Sequence, residues 1–452
     1  MGFQDAPEAL FYDFRLEDHI PADHVLRRID ELFDLSFVRD SLKAHYSRLG
    51  RPSVDPELMI RMLLVGYLFG IRSERRLCAE VHLNLAYRWF CRLGLEGKVP
   101  DQSTFSKNRY RRFRQSPVFR DLFETVVRQC LQAGLVRGED FSVDGSLVEA
   151  DANRDRRIAG GDTHELATSG ASDEVSRPVA EYFRTLDEEA EERVALAKAK
   201  PPKYLSQTDP MSAWNVKDGR GKFGYLTNYM IDNANGIIVD VEATPARTAQ
   251  EIIAAKTMIE RTKHQLTCTP QRLAADKAYG SGAFLTWLCE RKIEPHIPVL
   301  DRKQQTSGKL TRDTFSYDPE RDVYICPQGA ILKKVMSRAA TRLDSYRSKD
   351  TDCRDCLIKK ACTKGKHRQM VRMWDEPARE KARELAVTEA FEQCRRDRKK
   401  VEMRFAHLKR HLGLRRLKLR GLSGAQEEFT LAAAAQNLKM LARHRYREAR
   451  LT

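Results

Sequence analysis

The chain has 452 residues, 41% of them hydrophobic and 32% charged, which is room for two or three domains and at least one large core. A net charge of +16 and a pI near 9.4 point to a polyanionic partner, nucleic acid ahead of a membrane surface. No apolar run reaches the roughly 18 residues needed to cross a bilayer, and the opening MGFQDAPEAL lacks the basic-then-apolar form of a secretory leader. The expectation is a cytoplasmic protein with no membrane partner. Ten cysteines without a leader suggest a reducing compartment, where clustered cysteines serve as metal ligands more often than as disulfides.

Residues 1–135 read as helical. Asp55-Pro56-Glu57 opens a helix continuing LMIRMLLVGYLFG, with Asp55 as N-cap. A second helix is expected over SERRLCAEVHLNLAYRWFCRLGL, closing near Gly94. Pro100-Asp101-Gln102-Ser103-Thr104 then starts a third, FSKNRYRRFRQ. Basic helices of this kind suit a DNA backbone, although a helical bundle with a charged surface has the same composition.

At Phe141 the pattern changes to strand: FSVDGSLVEA contains Asp144 followed by Gly145. Residues 151–222 are polar and read as a loop-rich insertion with one charged helix, VAEYFRTLDEEAEERVALAKAK. FGYLTNYMIDNANGIIVDVEATPA predicts a hairpin turning at Asn233–Gly236. QEIIAAKTMIERTKHQ is a helix, RLAADKAYGSGAF a strand ending in Asp276 and turning into a helix, and IEPHIPVL another strand. This order predicts a mixed α/β sheet.

Asp144 and Asp276 each sit at or near the end of an apolar strand beside Gly, where an acid is costly unless paired or holding a cation. Each alone also suits a turn or a cap. With a third acid from a packed helix they would bind hard divalent ions through oxygen, the arrangement that serves phosphoryl transfer. The third acid is suggested by RRDRKKVEMRFAHLKRHLGLRRLKLRG. Between Arg395 and Arg420 that stretch carries twelve Lys and Arg against Asp397 and Glu402. Val401, Phe405, Leu408 and Leu412 form one helical stripe, and Arg398, Glu402 and Lys409 line one border of it. A solvated charge pair beside a core stripe would look the same.

FSVDGSLVEAD, LAADKAYGSGAF and RKKVEMRFAHLKRHLGLRRLKLRG resemble the three catalytic blocks of DDE transposases from bacterial insertion sequences, the IS4/IS5 superfamily and most closely the IS1182 group. RPSVDPELMIRMLLVGYLFGIRSERRL through PDQSTFSKNRYRRF resembles their N-terminal helical domain, and the likeness runs from about Phe11 to Arg443. It implies an RNase H-like α/β core with Asp144, Asp276 and Glu402 as the Mg²⁺ (or Mn²⁺) triad. It also implies Arg398 and Lys409 as contacts to DNA phosphates. Its partners would be double-stranded DNA, both the element's terminal inverted repeats and the target, bound by a homodimer. Related proteins carry a Tyr where Arg395 stands here, so that Tyr's role has no counterpart. A nuclease that cuts without rejoining, or a DNA-binding protein with a relic core, would share much of this pattern.

Cys326, Cys353, Cys356 and Cys362 follow the spacing C-x₂₆-C-x₂-C-x₅-C. Four thiolates suit tetrahedral Zn²⁺, tying down a basic excursion with little core of its own. An iron–sulfur cluster suits the same spacing, and His367 is a spare ligand. In the family an insertion here contacts DNA ends, which would make the metal structural. Cys78, Cys91, Cys130, Cys268, Cys289 and Cys394 read as isolated thiols. The expected organisation is a helical DNA-binding domain (1–135), a first core segment (136–300), a Cys-rich insertion (301–374) and a C-terminal helical part of the core (375–452).

Overall fold

The computed structural model describes residues 14–448 apart from 33, 47–52, 115, 161–165, 167–175, 194–201, 217–218, 248–249, 301–309 and 311–313. The opening MGFQDAPEAL and the end of the charged helix expected in the insertion lie outside the described residues. The chain divides into two compact units, Met1–Pro270 with Asp397–Thr452, and Gln271–Arg396.

The first unit begins with helices α1 (Val25–Glu31), α2 (Ser36–Leu42), α3 (Pro56–Leu68), α4 (Glu74–Leu83), α5 (Leu85–Phe90), α6 (Gln102–Asn108) and α7 (Val118–Gln132). Asp55 caps α3 by accepting the Glu57 amide, and Asp101 caps α6 through the Ser103 and Thr104 amides. The second helix expected from sequence is two. Asn84 adopts an extended backbone, and its side chain accepts from the Ala86 and Tyr87 amides, ending α4 and starting α5.

Strands β1 (Asp140–Glu149), β2 (Arg157–Ala159), β3 (Tyr204–Ser206), β4 (Ala213–Asn215), β5 (Lys222–Asp232) and β6 (Ile238–Pro245) follow, with α8 (Arg177–Arg193) between β2 and β3. Residues 151–222 thus hold more regular structure than their polarity suggests. β2 and β3 form a small sheet of their own, and β4 joins the edge of β5. β5 pairs antiparallel with β1 on one side and β6 on the other. The β5–β6 turn falls at the Asn-Ala-Asn-Gly run, where Gly236 takes a φ of +68° that suits glycine. α9 (Gln250–Leu266) closes this part.

In the second unit β7 (Arg272–Ala274) and β8 (Glu294–His296) pair in parallel, flanking α10 (Gly282–Glu290). Strands β9 (Ser316–Asp318), β10 (Val323–Ile325), β11 (Ile331–Arg338), β12 (Leu343–Arg347) and β13 (Gln369–Met373) form an antiparallel sheet in sequence order. Short helices α11 (Asp350–Arg354) and α12 (Lys359–Cys362) lie between β12 and β13, and α13 (Glu376–Leu385) and α14 (Glu389–Asp397) follow. The Cys-rich region was expected to have little core. It has one, in which Phe315, Tyr324, Leu332, Tyr346, Cys362 and Met370 are buried together.

Back in the first unit, α15 (Lys399–Arg410) carries Val401, Phe405 and Leu408 on its buried face. Leu412 is also buried, but beyond the helix end, where Gly413 at φ +66° redirects the chain. α16 (Leu422–Glu448) packs against α1, α3, α7 and β6. Its Ala432–Ala435 run is fully buried, since small side chains let neighbours approach from several sides. The N-terminal helices reach this helix through charge as well as apolar packing. Arg109 donates to Glu427 at 2.7 Å and to Glu74 at 3.0 Å, and Arg72 pairs with Glu428. Removing one partner of a buried pair leaves the other charge desolvated, so Arg109→Met should cost about 3–5 kcal/mol. A urea midpoint close to that of the unsubstituted chain would show that the network is not holding α16.

Candidate active site and cysteine cluster

Asp144 lies mid-strand in β1, not at its end as expected, and its cross-strand partner on β5 is Tyr229. Directly opposed residues of an antiparallel pair project from the same face, so Asp144 and Tyr229 share one. α15 covers that face, with Phe405 stacked on Tyr229 at 4.9 Å between centroids and 19° between planes. Arg398 precedes Phe405 by seven residues, about two helical turns, and therefore points along the same side. Its Nη1 lies 3.3 Å from Asp144 Oδ2 and its Nη2 lies 3.1 Å from Glu402 Oε1. One guanidinium fork thus spans two carboxylates that stand far apart in sequence. The other Asp144 oxygen accepts the Gly145 amide at 2.8 Å.

The neighbouring glycine has a packing reason. A Cβ on Gly145 would lie 2.9 Å from Asn228 Oδ1 and 3.0 Å from Glu251 Oε1. Successive strand residues face opposite ways, so Glu251, in the first turn of α9, approaches from behind the Asp144 face. Nothing in the spacing of the sequence marks this acid as a neighbour of β1.

The basic residues of this region divide into two groups. Arg404 donates through Nε to Gly236 O at 2.6 Å and through Nη2 to Asn235 O at 3.2 Å, while Lys400 bonds Asn233 O and pairs with Asp397. These cations clamp α15 onto the β5–β6 turn. Beyond the helix, Leu417 N donates to Glu149 O at 2.8 Å, and Arg416 and Arg420 pair with Asp151. Lys399 is exposed. Lys409 lines a recess of about 390 Å³ with Lys222, Phe405, Ala406, Arg410 and Arg415, a lining with four cations and no acid.

Asp276 belongs to the other compact unit. It stands two residues past β7 and caps the 3₁₀ turn Lys277–Tyr279, accepting the Ala278 amide at 2.8 Å. Among the described residues no three His, Cys, Asp or Glu side chains meet closely enough to hold a metal. The donor chemistry of the first unit nevertheless fits a hard divalent ion. Asp144 and Glu402 converge on a single positive charge, and the group now between them is a cation.

The four spaced cysteines are all unpaired thiols in the second unit. Cys326 Sγ accepts two backbone amides, from Gln328 and Ala330, each at 3.3 Å. The turn that allows this passes through Gly329 at φ +80°. Cys326 and Cys362 pack in the same core cluster. Burial raises the Cys362 pKa, and the nearby Cys353, Cys326 and Cys356 raise it further against the opposing pull of Arg368. Cys353 Sγ lies 3.1 Å from Ser348 Oγ. His367, the spare ligand considered above, pairs with Asp350 at 2.9 Å. Of the isolated thiols, Cys91, Cys130 and Cys394 are buried and Cys78, Cys268 and Cys289 half-buried.

Two family models match the chain: one described as a transposase domain (DUF772) over residues 14–111, and one as a transposase DDE domain over residues 325–442. The second takes in Glu402 and all four spaced cysteines, whereas Asp144 and Asp276 lie between the two matches. No curated protein matches the chain. Among solved structures, a piggyBac transposase synaptic complex with hairpin DNA, determined by cryo-EM, aligns at 10% identity with a TM-score of 0.38. That alignment covers 94% of this chain and 76% of the other. Both family matches are to transposase domains, and together they indicate a DDE transposase, a DNA-transposing enzyme.

The clamp on the turn can be tested apart from any chemistry. Arg404→Ala leaves the partly buried Gly236 carbonyl without its donor, at a cost of about 1–3 kcal/mol, while the exposed Asn235 carbonyl turns to water. Amides of residues 399–410 should exchange faster in hydrogen–deuterium exchange. Unchanged exchange would mean that the Phe405 stack alone seats the helix.

Proposed function

We propose that this DDE transposase cuts DNA at the ends of its own mobile element and joins the freed 3′-hydroxyls to a target, using Asp144, Asp276 and Glu402 on an RNase H-like core. The observation that carries this reading is the pairing of Asp144 with Glu402 through Arg398. It brings together two of the three acids that the sequence resemblance named independently. Asp276 rests on that resemblance and on its strand-end position.

Divalent cations such as Mg²⁺, bound by these carboxylates, supply the Lewis acidity that phosphoryl transfer needs. The side chains of the chain do the positioning. Asp144 is held by the Gly145 amide, and Glu402 is carried on a helix clamped to the sheet. Lys409, in its four-cation recess, and Arg398 are placed to take backbone phosphates, contacts that weaken with salt. The division into a helical DNA-binding part, a core and a Cys-rich insertion fits this work, with a homodimer acting on the two element ends.

In the Cys-rich part Cys326, Cys353, Cys356 and Cys362 bind one structural Zn²⁺. The support is the pair of backbone amides that donate to Cys326 Sγ and fix its position, together with the packing of Cys326 and Cys362 in one core.

Changing Asp144, Asp276 or Glu402 to Ala should abolish cleavage and strand transfer while sparing DNA binding, because a misplaced metal costs several kcal/mol of transition-state stabilisation. Turnover at the unsubstituted rate would remove that residue from the site. For the cluster, elemental analysis should find about one zinc per chain, lost in Cys353→Ser or Cys356→Ser with local unfolding of the Cys-rich sheet. Iron in its place, with a brown protein absorbing near about 400 nm, would replace zinc by an iron–sulfur cluster.

A further inference from the structure

We propose that Arg398 is an internal counter-cation that keeps the acidic site closed to metal until a DNA phosphate draws its guanidinium away. This deepens the reading above and rests on it. The geometry is specific: a single fork reaches Asp144 at 3.3 Å and Glu402 at 3.1 Å, one nitrogen to each. A divalent cation held by the same two carboxylates has to take the place of that fork. The seat of Arg398 also lends itself to exchange. It occupies the N-cap position of α15, where its side chain makes no capping bond, and the side chain is 24% exposed. The guanidinium can therefore leave without dismantling the helix, whose clamp is made by Lys400 and Arg404.

What draws it away is chemically defined. Arg–phosphate pairs are bidentate, as Arg–carboxylate pairs are, so a backbone phosphate competes for the same two nitrogens. Moving the fork to a phosphate uncovers both carboxylates at once. Metal and DNA then bind cooperatively, and by linkage each tightens the other by the same factor. The device delays assembly of the cutting site until a duplex is in place.

The test measures Mn²⁺ binding by the full chain through loss of the free-ion EPR signal, so it reads no catalysis. It compares protein alone with protein plus sonicated duplex DNA, after subtracting manganese held by the DNA. The chains are the unsubstituted protein, Arg398→Gln, Arg398→Lys and Asp144→Asn. The unsubstituted chain should bind Mn²⁺ more tightly with DNA by about fivefold or more, the usual scale of a coupling between two sites. Arg398→Gln should bind tightly without DNA and gain little from it. Arg398→Lys separates bridging from charge. It keeps the charge but lacks the fork that spans two acids, so it should follow the Gln variant. A Lys variant that behaves like the unsubstituted chain would reduce Arg398 to a nearby charge and overturn the proposal. So would an equal gain from DNA in the unsubstituted chain and both Arg398 variants. The Asp144→Asn chain tells the two readings apart. If it loses Mn²⁺ while the Arg398 variants bind as the unsubstituted chain does, the lock fails and the metal site stands. If it binds Mn²⁺ undiminished, the metal site fails and the lock with it.

Discussion

The stack of Phe405 on Tyr229, 4.9 Å between ring centroids, sets where α15 lies on the sheet, and the acidic site follows from that placement. Tyr229 is the cross-strand partner of Asp144, so a helix seated on the tyrosine is also seated beside the aspartate. The azimuth comes from Arg404 and Lys400, which grip the carbonyls of the β5–β6 turn. With one aromatic contact and two clamps in place, the helix has little freedom to rotate. Arg398 and Glu402 meet Asp144 because of its position, and no separate interaction is needed to steer them there.

The same helix shows how a strongly basic protein distributes its charge. A net charge of +16 reads as a uniform attraction for polyanions. In the fold, several of these cations are committed inside the protein: Arg109 and Arg72 to the acids of α16, Arg261 to Asp240 and Glu242, and Arg404 to backbone carbonyls. Each internal ion pair withdraws an acid together with its base, so the excess of positive charge is left to the rest of the chain. The recess around Lys409 concentrates charge of one sign, where a low-dielectric wall strengthens its field. Local convergence of this kind, more than the total charge, governs how the protein meets a phosphate chain.

Much of this was legible in the sequence because the signals are short-range. The Asp55 and Asp101 caps, the Asn-Ala-Asn-Gly turn and the apolar stripe of α15 each depend on residues within one or two turns of one another. The misreadings came where tertiary partners decide. The exception is local: Asn84 splits a helix that periodicity runs together by capping the Ala86 and Tyr87 amides. The Asp-Gly pair looked like a strand end, yet it is mid-strand, and its glycine is required by Asn228 and Glu251 packing from behind. Spacing put Arg398 and Lys409 with Glu402 on one border of the late helix, but it places a side chain on a face and does not name what it touches. The Cys-rich region looked coreless because its core is built from single residues, Phe315, Tyr324 and Tyr346 among them, scattered over short elements, none with a period long enough to register.

The ion pairs joining Arg72 and Arg109 to Glu428 and Glu427 also bear on how the molecule comes into being on the ribosome. Glu427 and Glu428 follow Arg109 and Arg72 by 318 and 356 residues, and α16 supplies much of the apolar surface on which the opening helices rest. At synthesis rates of about 5–20 residues per second, the N-terminal helices wait tens of seconds for their counter-ions, exposed to proteases and chaperones. The unit Gln271–Arg396, by contrast, is continuous in sequence. The front of the protein can shelter its arginines fully only after a stretch 318 and 356 residues downstream of them has been read.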